Sequence, residues 1–378
     1  MAHGSYEIVR YIPDLKSQLL QVQTHLWSRD LQLNDAHFRW KYEENPYFKE
    51  PLVHLALCEG QVVGMRGMLG ARWQVGATPE TFLAPYADDL VVAPEHRNRG
   101  LFTRIMRAAL DEVADRGLDY VFNFSAGRTT QLGSLSMGWK SAGGVEPVGR
   151  RLVAPQSLRA ILGRTRFVRR YMPTSAMFAR ADGHGPFARL DRLAERGAKW
   201  SAGAVSLSKH PRPEAMADLI ARLPLDGRFR HVRDALYFAW RFRNPFREYR
   251  FLYAGEARLE GYMVLQCQPG GQAGSARVNI VDWEATDATI RQALLDAAVR
   301  GAFEELVSWS ASMDPETRDL LRRRAFSPID EADAARGIPG ILIRPVRDDA
   351  LGADWTVHGR RLLDLANWDM RMLYSMHG

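Results

Sequence analysis

Cysteine is nearly absent: the 378 residues hold two, Cys58 and Cys267, far apart and each inside an apolar segment. Two such distant thiols build no disulfide framework, and the expectation is buried free thiols in a reducing cytoplasm. No Cys/His cluster has zinc-ligand spacing, so no metal is expected. No apolar run reaches the length of a membrane span, and the N-terminus carries no signal-peptide pattern. A soluble, cytoplasmic protein is the expectation. Charge of one sign is not concentrated either: 51 Lys and Arg against 44 Asp and Glu leave a net +7. That balance suits an anionic ligand, but no face-wide basic stripe supports a nucleic-acid partner. A nucleophile elbow is missing as well, because Ser134-Leu135-Ser136-Met137-Gly138 lacks the first glycine of that motif.

What is present begins with residues 91–102, Val-Val-Ala-Pro-Glu-His-Arg-Asn-Arg-Gly-Leu-Phe. They read as a strand end, a proline break, a basic loop with one glycine, and the start of a helix. Helix N-termini offer unpaired amides and a positive dipole end, so such a loop can grip a phosphate; on the loop alone an ordinary strand-to-helix turn is the other reading. Arg97, Arg99 and the loop amides supply the grip, and Gly100 lets the backbone approach closely. In the helix that follows, Phe102, Ile105, Met106, Ala109, Leu110 and Val113 form one apolar stripe, and Gly117 ends it. Upstream, residues 52–58 and 62–69 read as strands joined at Glu59-Gly60. Downstream, residues 120–124 read as a buried strand leading to a short polar helix that ends at Met137-Gly138-Trp139.

This arrangement resembles the GNAT superfamily of acyl-CoA-dependent N-acyltransferases. The family's Arg/Gln-x-x-Gly-x-Gly/Ala pyrophosphate motif stands here as Arg97-Asn98-Arg99-Gly100-Leu101-Phe102, departing at Phe102. The resemblance implies that acetyl-CoA or another acyl-CoA binds at these six residues and along Leu90, Val91 and Val92, a splayed strand contributing mainly backbone. It implies direct attack by an amine, a backbone oxyanion contact and a carboxylate base. Asp88 and Asp89 lie just upstream, one expected on each face of the strand, and either is a candidate base. Where the family carries a tyrosine acid, this chain has Ser134. Serine is a poor acid, but thiolate, with a pKa of about 8.5, leaves tolerably unaided.

An internal repeat is the second feature. Phe38, Trp40 and Tyr42 match Phe238, Trp240 and Phe242, with Asn-Pro following in each copy. A strand, a glycine turn and a second strand come next in both copies, and residues 276–283, 290–303 and 306–310 match the later elements of the first half. The aromatic block reads as a helix stopped at Asn-Pro, its rings most simply core. Between Trp283 and Ile290 there is no glycine and no Arg-x-x-Gly loop, and the acidic residues there repel a pyrophosphate.

The expected architecture is therefore α/β, with two tandem GNAT-like domains, each a mixed and mostly antiparallel sheet flanked by helices. The expected boundaries are 1–155 for a catalytic N-terminal domain, 156–200 for a connecting helical segment, 201–345 for a degenerate second domain and 346–378 for a tail. The expected activity is transfer of an acetyl or other acyl group to a small-molecule primary amine, of amino-sugar or natural-product type. A homodimer is admitted as an assembly. The alternatives are a conjugating transferase like the FemABX and mycothiol-synthase families, and a degenerate GNAT pair serving as a binding module.

Overall fold

A computed structural model describes residues 5–151, 185–195, 205–268, 277–329 and 340–375. The first half contains β1 (Tyr6–Arg10), α1 (Lys16–Gln23), α2 (Leu31–Phe38), β2 (Leu52–Cys58), β3 (Gln61–Leu69), β4 (Arg72–Gly76), β5 (Glu80–Leu83) and β6 (Tyr86–Val92). It continues with α3 (Leu101–Asp115), β7 (Tyr120–Asn123), α4 (Arg128–Ser136), β8 (Lys140–Gly144) and β9 (Pro147–Arg151). The second half contains α5 (Ala188–Glu195), β10 (Val205–Ser208), α6 (Pro213–Arg222), β11 (Gly227–His231), α7 (Ala235–Arg241), β12 (Glu248–Ala254) and β13 (Gly261–Cys267). Then come β14 (Arg277–Ala285), α8 (Ala288–Arg300), β15 (Glu305–Trp309), α9 (Pro315–Arg323), β16 (Ser327–Pro328) and β17 (Gly340–Pro345).

Two seven-stranded sheets share one plan. The first runs β1-β2-β3-β6-β7-β17-β8 and the second β10-β12-β13-β14-β15-β9-β16. The sixth place in each sheet is filled from the other half of the chain. Gly340–Pro345 pairs antiparallel with β7 and β8, and Pro147–Arg151 pairs antiparallel with β15 and β16. Ile341, Leu342 and Ile343 are fully buried, as an interior strand covered on both faces requires. A linear division at 155 and 345 therefore does not follow the sheets. Most of 156–200 lies outside the described residues, including the basic stretch 157–168. The described helix α5 packs Leu190 into the second half's core and pairs Asp191 with Arg250 at 2.6 Å.

The aromatic repeat is core. Trp40 and Trp240 stack at 5.3 Å and 16° across the junction of the halves. Phe38 ends α2, and a wider π-type turn over Arg39–Glu43 carries Trp40 and Tyr42 inward. Asn45 then closes the segment by accepting the amides of Tyr47 and Phe48. A third sheet, β11-β4-β5, ties the halves together. Cys267 is buried as expected, whereas Cys58, at the end of β2, is half-buried, and both are free thiols.

Candidate active site

The strand β6 is bent, and the bend makes the site. Its antiparallel register with β3 runs Gly64↔Val92 and Met65↔Val91, then shifts to Gly67↔Asp88. The extra residue lies at Asp89, whose φ of 48° is left-handed, a region Asp tolerates better than most residues. On the other side β6 pairs with β7, in parallel, at Tyr86↔Phe122. Among the described residues, 88–92 have no strand partner on that side. Leu90, Val91 and Val92 thus occupy the splayed strand.

The bulge overturns the expected alternation of the two carboxylates. Asp88 and Asp89 do not point to opposite faces; both reach Lys41 Nζ, at 2.8 Å each. Lys41 is fully buried, and Asp88 and Asp89 are 5% and 3% exposed. Asp89 also accepts from Tyr42 Oη at 2.8 Å and Trp27 Nε1 at 3.0 Å. Asp88 accepts from Ser125 Oγ at 3.0 Å. Burial, then Asp89, pushes the Tyr42 phenol well above its usual range, so it stays a donor. Arg66, buried across the bulge, faces the same carboxylates through space. Gly67 is required here: a Cβ would lie 2.0 Å from Tyr42 Oη.

Beyond Val92 the basic loop leads into α3. Gly100 is the N-cap with φ 70°, Asn98 has φ 60°, and a Cβ on Gly100 would meet nothing within 4 Å. The first helical bond runs from Arg104 N–H to Gly100 O at 3.2 Å, leaving the amides of Leu101, Phe102 and Thr103 without intrahelical partners. Arg97 and Arg99 are exposed. Arg97 Nε donates to Val92 O at 3.0 Å, which ties the loop to the splayed strand. Arg99 lies over the Tyr6 ring at 5.9 Å, and Tyr6 Oη is 2.9 Å from His96 Nδ1. Leu101 is buried, and Phe102 leans on α4 at Gly133, where a Cβ would come within 3.2 Å of its ring. The departure at Phe102 is thus matched by a glycine on the facing helix. Next to that glycine, Ser134 is buried and its Oγ has no hydrogen-bond partner among the described residues.

At the apex of the splay the floor is aromatic and comes from both halves. Tyr86 packs on Phe124 at 5.0 Å and Trp73 at 5.6 Å. His231 lies tilted against Tyr237 at 4.3 Å, and Tyr374 of the tail lies 5.6 Å from Trp73. The hydroxyls of Tyr47, Tyr86, Tyr237 and Tyr374 have no partner among the described residues. In the second half the helix start is different. Asp287 caps α8 with its own carboxylate, accepting Ile290 N–H at 2.9 Å. That carboxylate sits where an anion would bind.

Sequence reasoning missed Lys41, Tyr42, Trp27 and Ser125. Lys41 carried a signal: the repeat places Arg241 at the matching position, and both cations are fully buried. No group of three or more potential metal ligands occurs among the described residues. No helix there is long and apolar enough to cross a membrane.

Comparison with known proteins agrees with this geometry. Residues 12–133 match the acetyltransferase (GNAT) domain family. The fold resembles a probable N-acyltransferase of unknown function from Enterococcus faecalis, with TM-score 0.57 and 11% identity over 90% of this chain and 73% of that one. It also resembles a GCN5-related N-acetyltransferase from Anabaena variabilis, with TM-score 0.56 and 14% identity over 91% and 73%. A tandem GNAT protein from the clavulanic acid biosynthesis pathway matches with TM-score 0.51 and 12% identity over 91% and 99%. No curated protein matches. The fold is that of the GNAT-type acyltransferases. More particularly, the fold is like that of a tandem GNAT protein, and the match to the acetyltransferase (GNAT) domain family lies in the first half, over residues 12–133.

Proposed function

We propose that the first half transfers an acyl group from acyl-CoA to the primary amine of a small molecule. The observation that carries this reading is the bulged, splayed β6 running directly into a basic, glycine-capped helix start. In this reading Arg97, Asn98, Arg99, Gly100, Leu101 and Phe102 hold the pyrophosphate, and the free first-turn amides suit that anion. Bound acyl-CoA supplies the thioester and the thiolate leaving group. Leu90, Val91 and Val92 offer backbone amides to the carbonyl oxygen as charge develops there. The amine nitrogen forms the new C–N bond, the C–S bond breaks, and the nitrogen's proton must leave.

Asp88 suits that proton better than Asp89. The Asp88 side chain keeps 6% exposure, against 0% for Asp89. Asp88 is reached through half-buried Ser125: the amine proton passes to Ser125 Oγ as the Ser125 proton passes to Asp88 Oδ1. Asp89 then fixes the bulge. Ser134 offers its unpaired hydroxyl to the departing sulfur. Asp287 at the second helix start supports placing acyl-CoA in the first half.

The test is thiol release from acetyl-CoA against a panel of amino sugars and diamines. Asp88→Asn is expected to lower kcat at least about a hundredfold, within the range of general-base losses, with little change in the KM for acetyl-CoA. An unchanged kcat removes Asp88 from the chemistry. No thiol release with any amine refutes the acceptor class.

A further inference from the structure

The second half contains its own splay. Its strands β14 and β15 pair in parallel over Arg277↔Glu305, Val278↔Leu306 and Asn279↔Val307, then diverge. In sheet order β14 corresponds to β6. The diverging stretch is filled by the chain's own end. Arg371 Nη1 donates to Trp283 O at 2.6 Å and Asp282 Oδ1 at 3.0 Å, and Nη2 lies 2.8 Å from Glu284. Met370 exchanges two hydrogen bonds with Ser312, its amide donating at 2.7 Å and its carbonyl accepting at 3.0 Å. Asp369 N–H donates to Phe229 O at 2.9 Å. A cavity of about 100 Å³ remains beside Asp282, Arg291, Asp314 and Arg371.

From there the tail runs to the junction of the halves. Arg241 donates to Leu373 O at 3.1 Å and to Ser375 O at 3.0 Å. Between those two clamps stands Tyr374, which is 1% exposed and packs on Trp73 and His231. Trp73 in turn touches Tyr86, Phe122 and Phe124 around the apex of the first splay.

We infer that the C-terminal tail is the built-in occupant of the second cleft, and that Arg371, docked there, positions Tyr374 under the floor of the first. The docking stands on the hydrogen bonds above, while its bearing on acyl transfer rests on the function proposed for the first cleft. Arg371 is a positioning residue and touches no reacting atom. Through it the second half acts on a site in the first.

Backbone hydrogen exchange on the full chain, without ligand, tests this. Arg371→Ala is expected to speed exchange about tenfold or more in residues 369–375, and also in Tyr86–Val92 and Tyr120–Asn123. Arg371→Lys should restore most of the protection. Faster exchange confined to the tail and Arg277–Ala285 overturns the inference. If Arg371→Ala does not fold, Tyr374→Ala decides: it should loosen the same first-half strands while the contacts of Arg371 persist. In turnover, Arg371→Ala should raise the KM for the amine about tenfold and leave the KM for acetyl-CoA unchanged, a split that a general loss of stability does not give. If no variant and no wild-type protein binds acetyl-CoA, the proposed function fails, while the exchange pattern still decides the role of the tail.

Discussion

The indole N–H of Trp40 donates to the backbone carbonyl of Trp240 at 2.8 Å, and the indole N–H of Trp240 donates to the carbonyl of Trp40 at 2.7 Å. The exchange is reciprocal, the rings are stacked, and both residues are 3% exposed. Equivalent positions of the repeat thus meet across the local two-fold relation of the halves. Replacing either tryptophan with phenylalanine removes one buried indole hydrogen bond and leaves a gap in the stacked pair, at a cost of about 1–3 kcal/mol. Urea unfolding of both single variants and the double variant should show coupling of at least about 0.5 kcal/mol between the sites. Strict additivity contradicts the reciprocal pair.

Lys41 neutralises two buried carboxylates at once. Lys41→Met leaves Asp88 and Asp89 without their shared cation, and removal of one partner of a buried ion pair costs about 3–5 kcal/mol. The expected outcome is a large drop in the urea midpoint at pH 7. A midpoint within experimental error of wild type contradicts the network.

The hydroxyls under the splay have the opposite sign. Tyr86 and Tyr237 are buried with unpartnered Oη atoms. Removing an unsatisfied buried hydroxyl relieves a desolvation penalty, so Tyr86→Phe and Tyr237→Phe should each raise stability by about 1 kcal/mol. Thermal unfolding measures it. Loss of stability in both variants means that the hydroxyls are satisfied in solution.

Burial holds the His231 imidazole down to about 3, with Arg233 and Arg241 adding to the effect. Its folded pKa lies below the unfolded value of 6.5, so the unfolded chain binds the proton first. The stability this represents is fully present above 6.5 and is lost as pH falls from there toward 3. His54 is lowered by burial too, and contributes with the same sign. For one such proton the slope approaches about 1.4 kcal/mol per pH unit. Urea unfolding should therefore show about 2 kcal/mol less stability at pH 5 than at pH 7, and His231→Phe should flatten that slope. An equal slope in the variant contradicts the assignment.

Much of the fold around the candidate site was legible. The stripe from Phe102 to Val113 placed α3, whose described range is Leu101–Asp115, and the glycine with its flanking arginines placed the helix start. The repeat announced two sheets of one plan. What escaped detection was nonlocal. An apolar triplet such as Ile341, Leu342 and Ile343 reads as a strand but carries no mark of which sheet will take it, so the exchange with β9 was invisible. The convergence of Asp88 and Asp89 escaped because strand alternation assumes extended backbone, and Asp89 leaves it. Lys41 hid inside an aromatic block read as core, which it is, although the block also carries the site's buried cation.

The most direct measurement is calorimetric titration of acetyl-CoA and longer acyl-CoAs into the wild type and the Arg97→Ala/Gly100→Glu variant. The wild type is expected to bind with micromolar affinity, about −8 kcal/mol. The variant should lose binding, because it removes a cation and places a carboxylate at the helix start beside the free amides. Equal binding by both proteins would move the donor site away from α3, and absence of binding in the wild type would contradict the acyltransferase account outright.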